Sequence, residues 1–196
     1  MSIRAMADAA ASTDVDPSVL DDVRAQIDEI AARLRAAVHD GAYSGLVEQP
    51  VDFSVPEGPM PLNPIIGPCN PTRPDVQLRY ADGEVVGTAR LTRRFTGPPG
   101  LTHGGISAML ADQIVAVTGG AAGTRCITKA LHVRFRRPLP LDEPIDLWGV
   151  CEMNDDGVPV TARYTMTARG EVAVEGTAEL VPFTRLAETA DLPTER

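Results

Sequence analysis

Apolar and polar residues along this chain change their period several times, and each change marks a different kind of element. Val23, Ile27, Ile30, Leu34 and Val38 recur at helical spacing behind Asp16-Pro17, a capping residue followed by proline at the first helical position. This predicts an amphipathic helix of about twenty residues ending near Gly41. Residues 50–74 then carry Pro50, Pro56, Pro59, Pro61, Pro64, Pro68, Pro71 and Pro74, which excludes regular helix or central strand. An extended segment wrapped onto the main domain is expected there, the alternative being a plain linker. VQLRYADGEVVGTARLT reads as two strands around an Asp82-Gly83 turn, and RRFTGPPG as a loop. GGISAMLADQIVAVTGG lacks alternation and is apolar on nearly every side, which predicts a helix buried in the middle of the protein, with glycines at both ends. Alternation then returns. Leu131, Val133 and Phe135 alternate with His132, Arg134 and Arg136, and EPIDLWGVCEM is a second strand ending at the turn Asn154 to Gly157. Val158, Val160, Ala162, Tyr164, Met166 and Ala168 mark one face of a third; Val172, Val174, Gly176, Ala178 and Leu180 mark one face of a fourth. The residues after Thr184 are polar and read as frayed.

The order strand, strand, buried helix, four strands contains no βαβ alternation, so the expected class is α+β, one antiparallel sheet wrapped around one helix. At 196 residues, one domain with an extension is favoured over two domains. The divisions expected are 1–50 as an extension bearing the amphipathic helix, 51–74 as the proline-rich connection, 75–185 as the main domain and 186–196 as a tail. Apolar stretches are interrupted well before the roughly 20 residues that a membrane span requires. The Ala-rich N-terminus carries three acids, Asp8, Asp14 and Asp16, and no bulky apolar run, a poor secretion signal, so a cytoplasmic location is expected. Cys69, Cys126 and Cys151 are too scattered for a disulfide framework or a zinc site, so they read as reduced and no metal is expected. A formal charge of −9 argues against nucleic-acid binding. The charge is uneven, however: no acid occurs from Gln113 to Leu141, while Arg125, Lys129, Arg134, Arg136 and Arg137 fall in that stretch. Such a strip suits a small phosphorylated ligand, the alternative being a solvated strand face.

Asp112 is the only charge within the buried helix, among Met109, Leu110, Ala111, Ile114 and Val115. A carboxylate buried there is costly unless it is paired or used, which makes it a candidate catalytic group or else a structural acid paired with an arginine or a loop. The helix begins at THGG, where Gly104 and Gly105 let backbone N–H groups approach a ligand and the helix dipole adds partial positive charge. That end can hold negative charge developing on a carbonyl oxygen, although Gly-Gly is also a common tight turn. Gly104 and Asp112 are eight residues apart, about 12 Å along a helix, so one chain cannot bring both to one carbonyl. A two-fold dimer with antiparallel helices can, giving two equal sites. His103 reads as a loop-fixing residue in support, Gln113 as a side chain that could face the site, and His132 as surface. Ser107 has no GxSxG setting, which speaks against a serine hydrolase.

The run HGGISAMLAD, followed by the strand ALHVRFRRPLPL, resembles the phenylacetate-pathway (PaaI-type) thioesterases and the related human acyl-CoA thioesterases. Their signature is HGG, six variable residues and Asp, and the match covers roughly residues 75–183. The resemblance implies a hotdog fold and hydrolysis of an acyl-CoA thioester without metal or redox cofactor. It assigns His103 and the Gly104-Gly105 turn to placing and polarising the carbonyl, Asp112 of the facing subunit to the role of base or nucleophile, and Thr128 to orienting water. It also implies a homodimer or homotetramer with active sites at the dimer interface. Arg134, Arg136 and Arg137 become candidates for the CoA phosphates, with alternation placing the first two on one face. The first forty residues and the proline-rich segment lie outside the shared motifs. Two rivals remain: a hotdog protein that binds acyl-CoA without turnover, and a hotdog dehydratase or hydratase, whose catalytic histidine and acid follow a different pattern.

Overall fold

The computed structural model describes residues 3–38, 54–58 and 60–182. Gly41 and the C-terminal tail lie outside these residues, but the helix expected to reach Gly41 ends earlier, at Arg35, and leaves Val38 out.

Helix α1 spans Ile3–Ala10 and α2 spans Pro17–Arg35. Asp16 caps α2 as its sequence requires, its carboxylate accepting the Ser18 N–H at 2.9 Å, with Pro17 in the first turn. Among the described residues nothing covers the apolar stripe of α2, for no residue of that helix is buried. By contrast α1, which the apolar pattern does not announce, is tied down: Asp8 accepts hydrogen bonds from Thr92 Oγ1 and Arg94 Nε, both at 2.6 Å.

Six strands follow, β1 (Asp75–Ala81), β2 (Glu84–Arg90), β3 (Cys126–Phe135), β4 (Pro144–Met153), β5 (Pro159–Ala168) and β6 (Glu171–Pro182), with α3 (Gly104–Ala121) between β2 and β3. They form one antiparallel sheet in the order β1-β2-β4-β5-β6-β3, so β1 and β3 are its edges. The β1–β2 hairpin closes through Asp82 and Gly83, both at positive φ, the type I′ geometry that Asp-Gly favours. The sheet curls around α3, which packs against β2, β3, β4, β5 and β6. Leu110, Ile114 and Val115 are fully buried there. Close approach at this layer depends on Gly149 of β4: a Cβ at that position would lie 2.6 Å from Ile114 Cγ2.

Two strands depart from the simple alternation their sequences suggest. Val160 is exposed while Pro159 is buried, because the β4–β5 pairing shifts register between Glu152 and Met153 and the extra residue reverses the phase. In β6, Ala173 and Val174 are both buried for the same reason, a shift opposite Met166 and Thr167. Beyond these bulges the expected inward residues Ala162, Tyr164, Met166, Ala178 and Leu180 are buried.

The described proline-rich residues are neither free linker nor extended strand. They fold as successive turns against the sheet and α3, with Ile65 and Ile66 inserted into the core. Asn63 organises this stretch: its Oδ1 accepts the N–H groups of Ile65 and Ile66 at 2.8 and 3.0 Å.

Candidate active site

The start of α3 is built around His103. This residue is the N-cap, and its Nδ1 accepts the Gly105 N–H at 3.0 Å. A ring nitrogen that accepts cannot carry the proton, so the neutral ring is protonated on Nε2. His103 is itself held by its own N–H, which donates to Phe95 O at 2.8 Å. His103 therefore acts as a helix cap. It has a consequence for the glycines: the Gly105 N–H is occupied, whereas that of Gly104 makes no hydrogen bond among the described residues. Gly104 is exposed, and a Cβ there would meet only the Phe135 ring, at 3.6 Å.

Asp112 is not where its apolar neighbours in sequence suggest. It is exposed, and it makes no hydrogen bond or ion pair among the described residues. Leu110, Ala111, Gln113, Ile114 and Val115 are buried, while Asp112 lies on the open face of α3 with Gly105, Ala108 and Ala116, at positions three to four residues apart. The expected burial is thus absent from the single chain; the apolar look of this stretch comes from small residues on a face that the chain's own sheet leaves uncovered.

Gln113 turns the other way. It is buried, and its Oε1 accepts from Asn63 Nδ2 at 2.6 Å, so it joins α3 to the proline-rich segment instead of facing the open surface. Thr128 lies within β3, beside a register shift between Thr128 and Ala130, and its buried Oγ1 has no hydrogen-bond partner.

The basic strip is largely neutralised by the strand next to it. Lys129, Arg136 and Arg137 pair with Glu179, Glu175 and Glu171 of β6. Of the three candidate arginines, Arg136 and Arg137 join Gly104 and Phe135 around a hollow of about 240 Å³ at the start of α3. Arg134 does not share it: it lies with His132, Arg163 and Glu175 along a different groove. His132 is exposed, as expected. Among the described residues no cluster of His, Cys, Asp and Glu could hold a metal, and no helix is long and apolar enough to cross a membrane. The three cysteines are free, and burial pushes the Cys126 thiol up to about 11. Sequence reasoning missed Asn63 and Tyr80; the first forms its contact across fifty positions of chain, and no local pattern signals it.

No family model matches the chain, and no curated protein does. Among solved structures, a thioesterase superfamily protein is 32% identical, with a TM-score of 0.76 over 91% of this chain and 86% of that one. The chain belongs to the thioesterase superfamily. Its hotdog architecture, the antiparallel sheet wrapped around α3, is shared with more distant members. A hypothetical thioesterase of Streptococcus pneumoniae, solved with coenzyme A, has a TM-score of 0.50 and 20% identity over 56% of this chain and 89% of that one. It has also been solved with one aspartate or one threonine replaced by alanine. A Streptococcus mutans protein bound to acetyl-CoA has a TM-score of 0.50 and 18% identity over 55% of this chain and 88% of that one.

Proposed function

We propose that this member of the superfamily hydrolyses an acyl-CoA thioester at a site shared by two subunits. The observation that carries the reading is the placement of Gly104 and Asp112 as exposed residues of one helix, about two turns apart. The free N–H at a helix N-terminus and an unpaired carboxylate are the two groups thioester hydrolysis needs, yet about 12 Å separates them along the axis. A second α3 running antiparallel across this face sets the Asp112 of each protomer opposite the Gly104 of the other. It also supplies the desolvation that the exposed carboxylate lacks in a single chain. The unpaired edge of β3, with Phe135 exposed on it, is the matching edge for such a pairing.

In this arrangement the thioester oxygen accepts the Gly104 N–H at the positive end of the helix dipole. Asp112 takes a proton from water as the hydroxide attacks the carbonyl carbon, and returns it to the departing thiolate as the C–S bond breaks; direct attack by the carboxylate is the alternative. Thr128, with its unpartnered buried hydroxyl, orients that water. Support comes from the relatives: coenzyme A and acetyl-CoA are the ligands bound in the two streptococcal proteins. The aspartate and threonine replaced in the pneumococcal protein are sixteen residues apart, the same separation as Asp112 and Thr128 here. Arg136 and Arg137, which line the same hollow as Gly104, are taken as the contacts for CoA phosphates. Asp112→Asn should lower kcat on acyl-CoA substrates by about a hundredfold or more at unchanged melting temperature. Turnover within a few fold of wild type would remove Asp112 from the mechanism.

A further inference from the structure

Beyond Asp112, the face of α3 that carries it is no longer fully open. Between the helix's C-terminal half, the start of β3 and the proline-rich segment lies a cavity of about 550 Å³, a size typical of small-molecule pockets. Pro56 and Met60 of the segment form one wall, and Ala116 and Gly120 of α3 the other, with Ile127 of β3 and Tyr80 of β1 between them. The lining is mainly hydrocarbon.

The cavity is in register with Asp112. Asp112, Ala116 and Gly120 follow one another at four-residue steps along α3, so Ala116 lies about 6 Å and Gly120 about 12 Å beyond the carboxylate. Tyr80 closes the far end. Its Oη sits 2.4 Å from where a Cβ of residue 120 would be, so only glycine there leaves room for the tyrosine. The opposite wall is fixed to the same helix one residue past Asp112, through the Asn63–Gln113 hydrogen bond, and is anchored below by the buried Ile65 and Ile66.

We propose that the proline-rich segment is the specificity element of this enzyme: Pro56 and Met60 complete a sleeve, floored by Tyr80, for the hydrocarbon chain of a linear, medium-length acyl thioester. This rests on the reading of Asp112 as the hydrolytic group, since the carbonyl must sit beside it for the chain to enter the sleeve. A fully extended chain of single bonds advances about 1.2 Å per bond, as an extended peptide covers about 3.5 Å in three. The roughly 12 Å from Asp112 to the floor therefore takes about ten carbons.

The test measures both binding and turnover. Non-hydrolysable thioether analogues of acyl-CoA, from acetyl to palmitoyl, are titrated calorimetrically into the full chain, and thiol release is followed with the matching thioesters. Affinity should rise about fourfold per methylene, equivalent to ~0.8 kcal/mol, and level off near decanoyl. Ala116→Phe fills the sleeve from α3 and Met60→Trp from the segment; each should lower the decanoyl-to-acetyl affinity ratio by about a hundredfold, the loss of some three to four methylenes. The second variant keeps the test valid if the first fails to fold. Affinity that ignores chain length, or variants that leave the ratio unchanged, would overturn the sleeve. Turnover without chain-length dependence would overturn the sleeve and keep Asp112 as the hydrolytic group; the predicted binding series without thiol release from any thioester would do the reverse.

Discussion

The shared site can be tested by combining two inactive proteins. Asp112→Asn removes the base. For the partner variant the choice between the two glycines follows from their surroundings: a Cβ at Gly105 would press on His103 at 3.1 Å and disturb the cap, whereas one at Gly104 rests against the Phe135 ring at 3.6 Å. Gly104→Leu should therefore fold, while its side chain covers the one N–H at the helix start that is free to meet a carbonyl. Each variant alone has a defect in both of its sites. If Asp112 of one subunit serves the Gly104 of the other, a heterodimer has one site with both defects and one with neither. Co-expression with two affinity tags and purification on both yields the heterodimer, whose thiol-release rate should be about half that of wild type. Each parent should stay about a hundredfold below wild type. A heterodimer verified by native mass spectrometry, yet no more active than its parents, would refute the shared site and the explanation of why Gly104 and Asp112 stand two turns apart.

Three further outcomes follow from local geometry. Gly149→Ala places a methyl 2.6 Å from Ile114 Cγ2 and should cost about 1–3 kcal/mol, read as a melting-temperature drop of roughly 3–10 °C; an unchanged melting temperature would show that α3 does not press on β4 as described. At Asp8 burial raises the carboxyl pKa, but hydrogen bonds from Thr92 and Arg94 and the charge of Arg94 outweigh it, leaving it below 3.8. Because the folded value is depressed, the docking of α1 should be complete above pH 3.8 and be lost as pH falls through the lower folded value, as hydrogen exchange of α1 would report; Asp8→Asn should abolish that dependence. Arg136→Gln breaks only an exposed pair with Glu175, so stability should change by less than about 1 kcal/mol, while KM should rise severalfold for acyl-CoA but not for thioesters lacking the nucleotide; equal effects on both would return Arg136 to a purely surface role.

The element order was readable because period reports directly which backbone can bury an apolar set. What failed did so for identifiable reasons. Val160 and Ala173 broke the expected phase because a bulge adds one residue without changing composition. Asp112 looked buried because Gly105, Ala108 and Ala116 count as apolar, and a sequence does not distinguish a helix face covered by its own sheet from one left for another surface. The basic strip looked uncompensated because its acids, Glu171, Glu175 and Glu179, are distant in sequence and are brought alongside only by the β3–β6 register. The HGG and Asp of the candidate site were legible from their spacing, whereas Gln113 facing Asn63, and with it the wall beside the helix, depended on a long-range contact.

The strand order also sets a schedule for synthesis. Every strand but one finds a partner in the strand just made or the one before it: β2 joins β1, β4 joins β2, β5 joins β4 and β6 joins β5. The exception is β3, made third, whose sole ladder is with β6, so that Cys126 waits for Pro182. A nascent chain that has emerged through β5 therefore carries β3 with both edges bare, next to the apolar α3 that the sheet has not finished enclosing. Unpaired edges in that state are open to other nascent chains. The same interval is one in which a holdase acting on exposed strands has the most to protect, and it ends only when the last strand slides between β5 and β3.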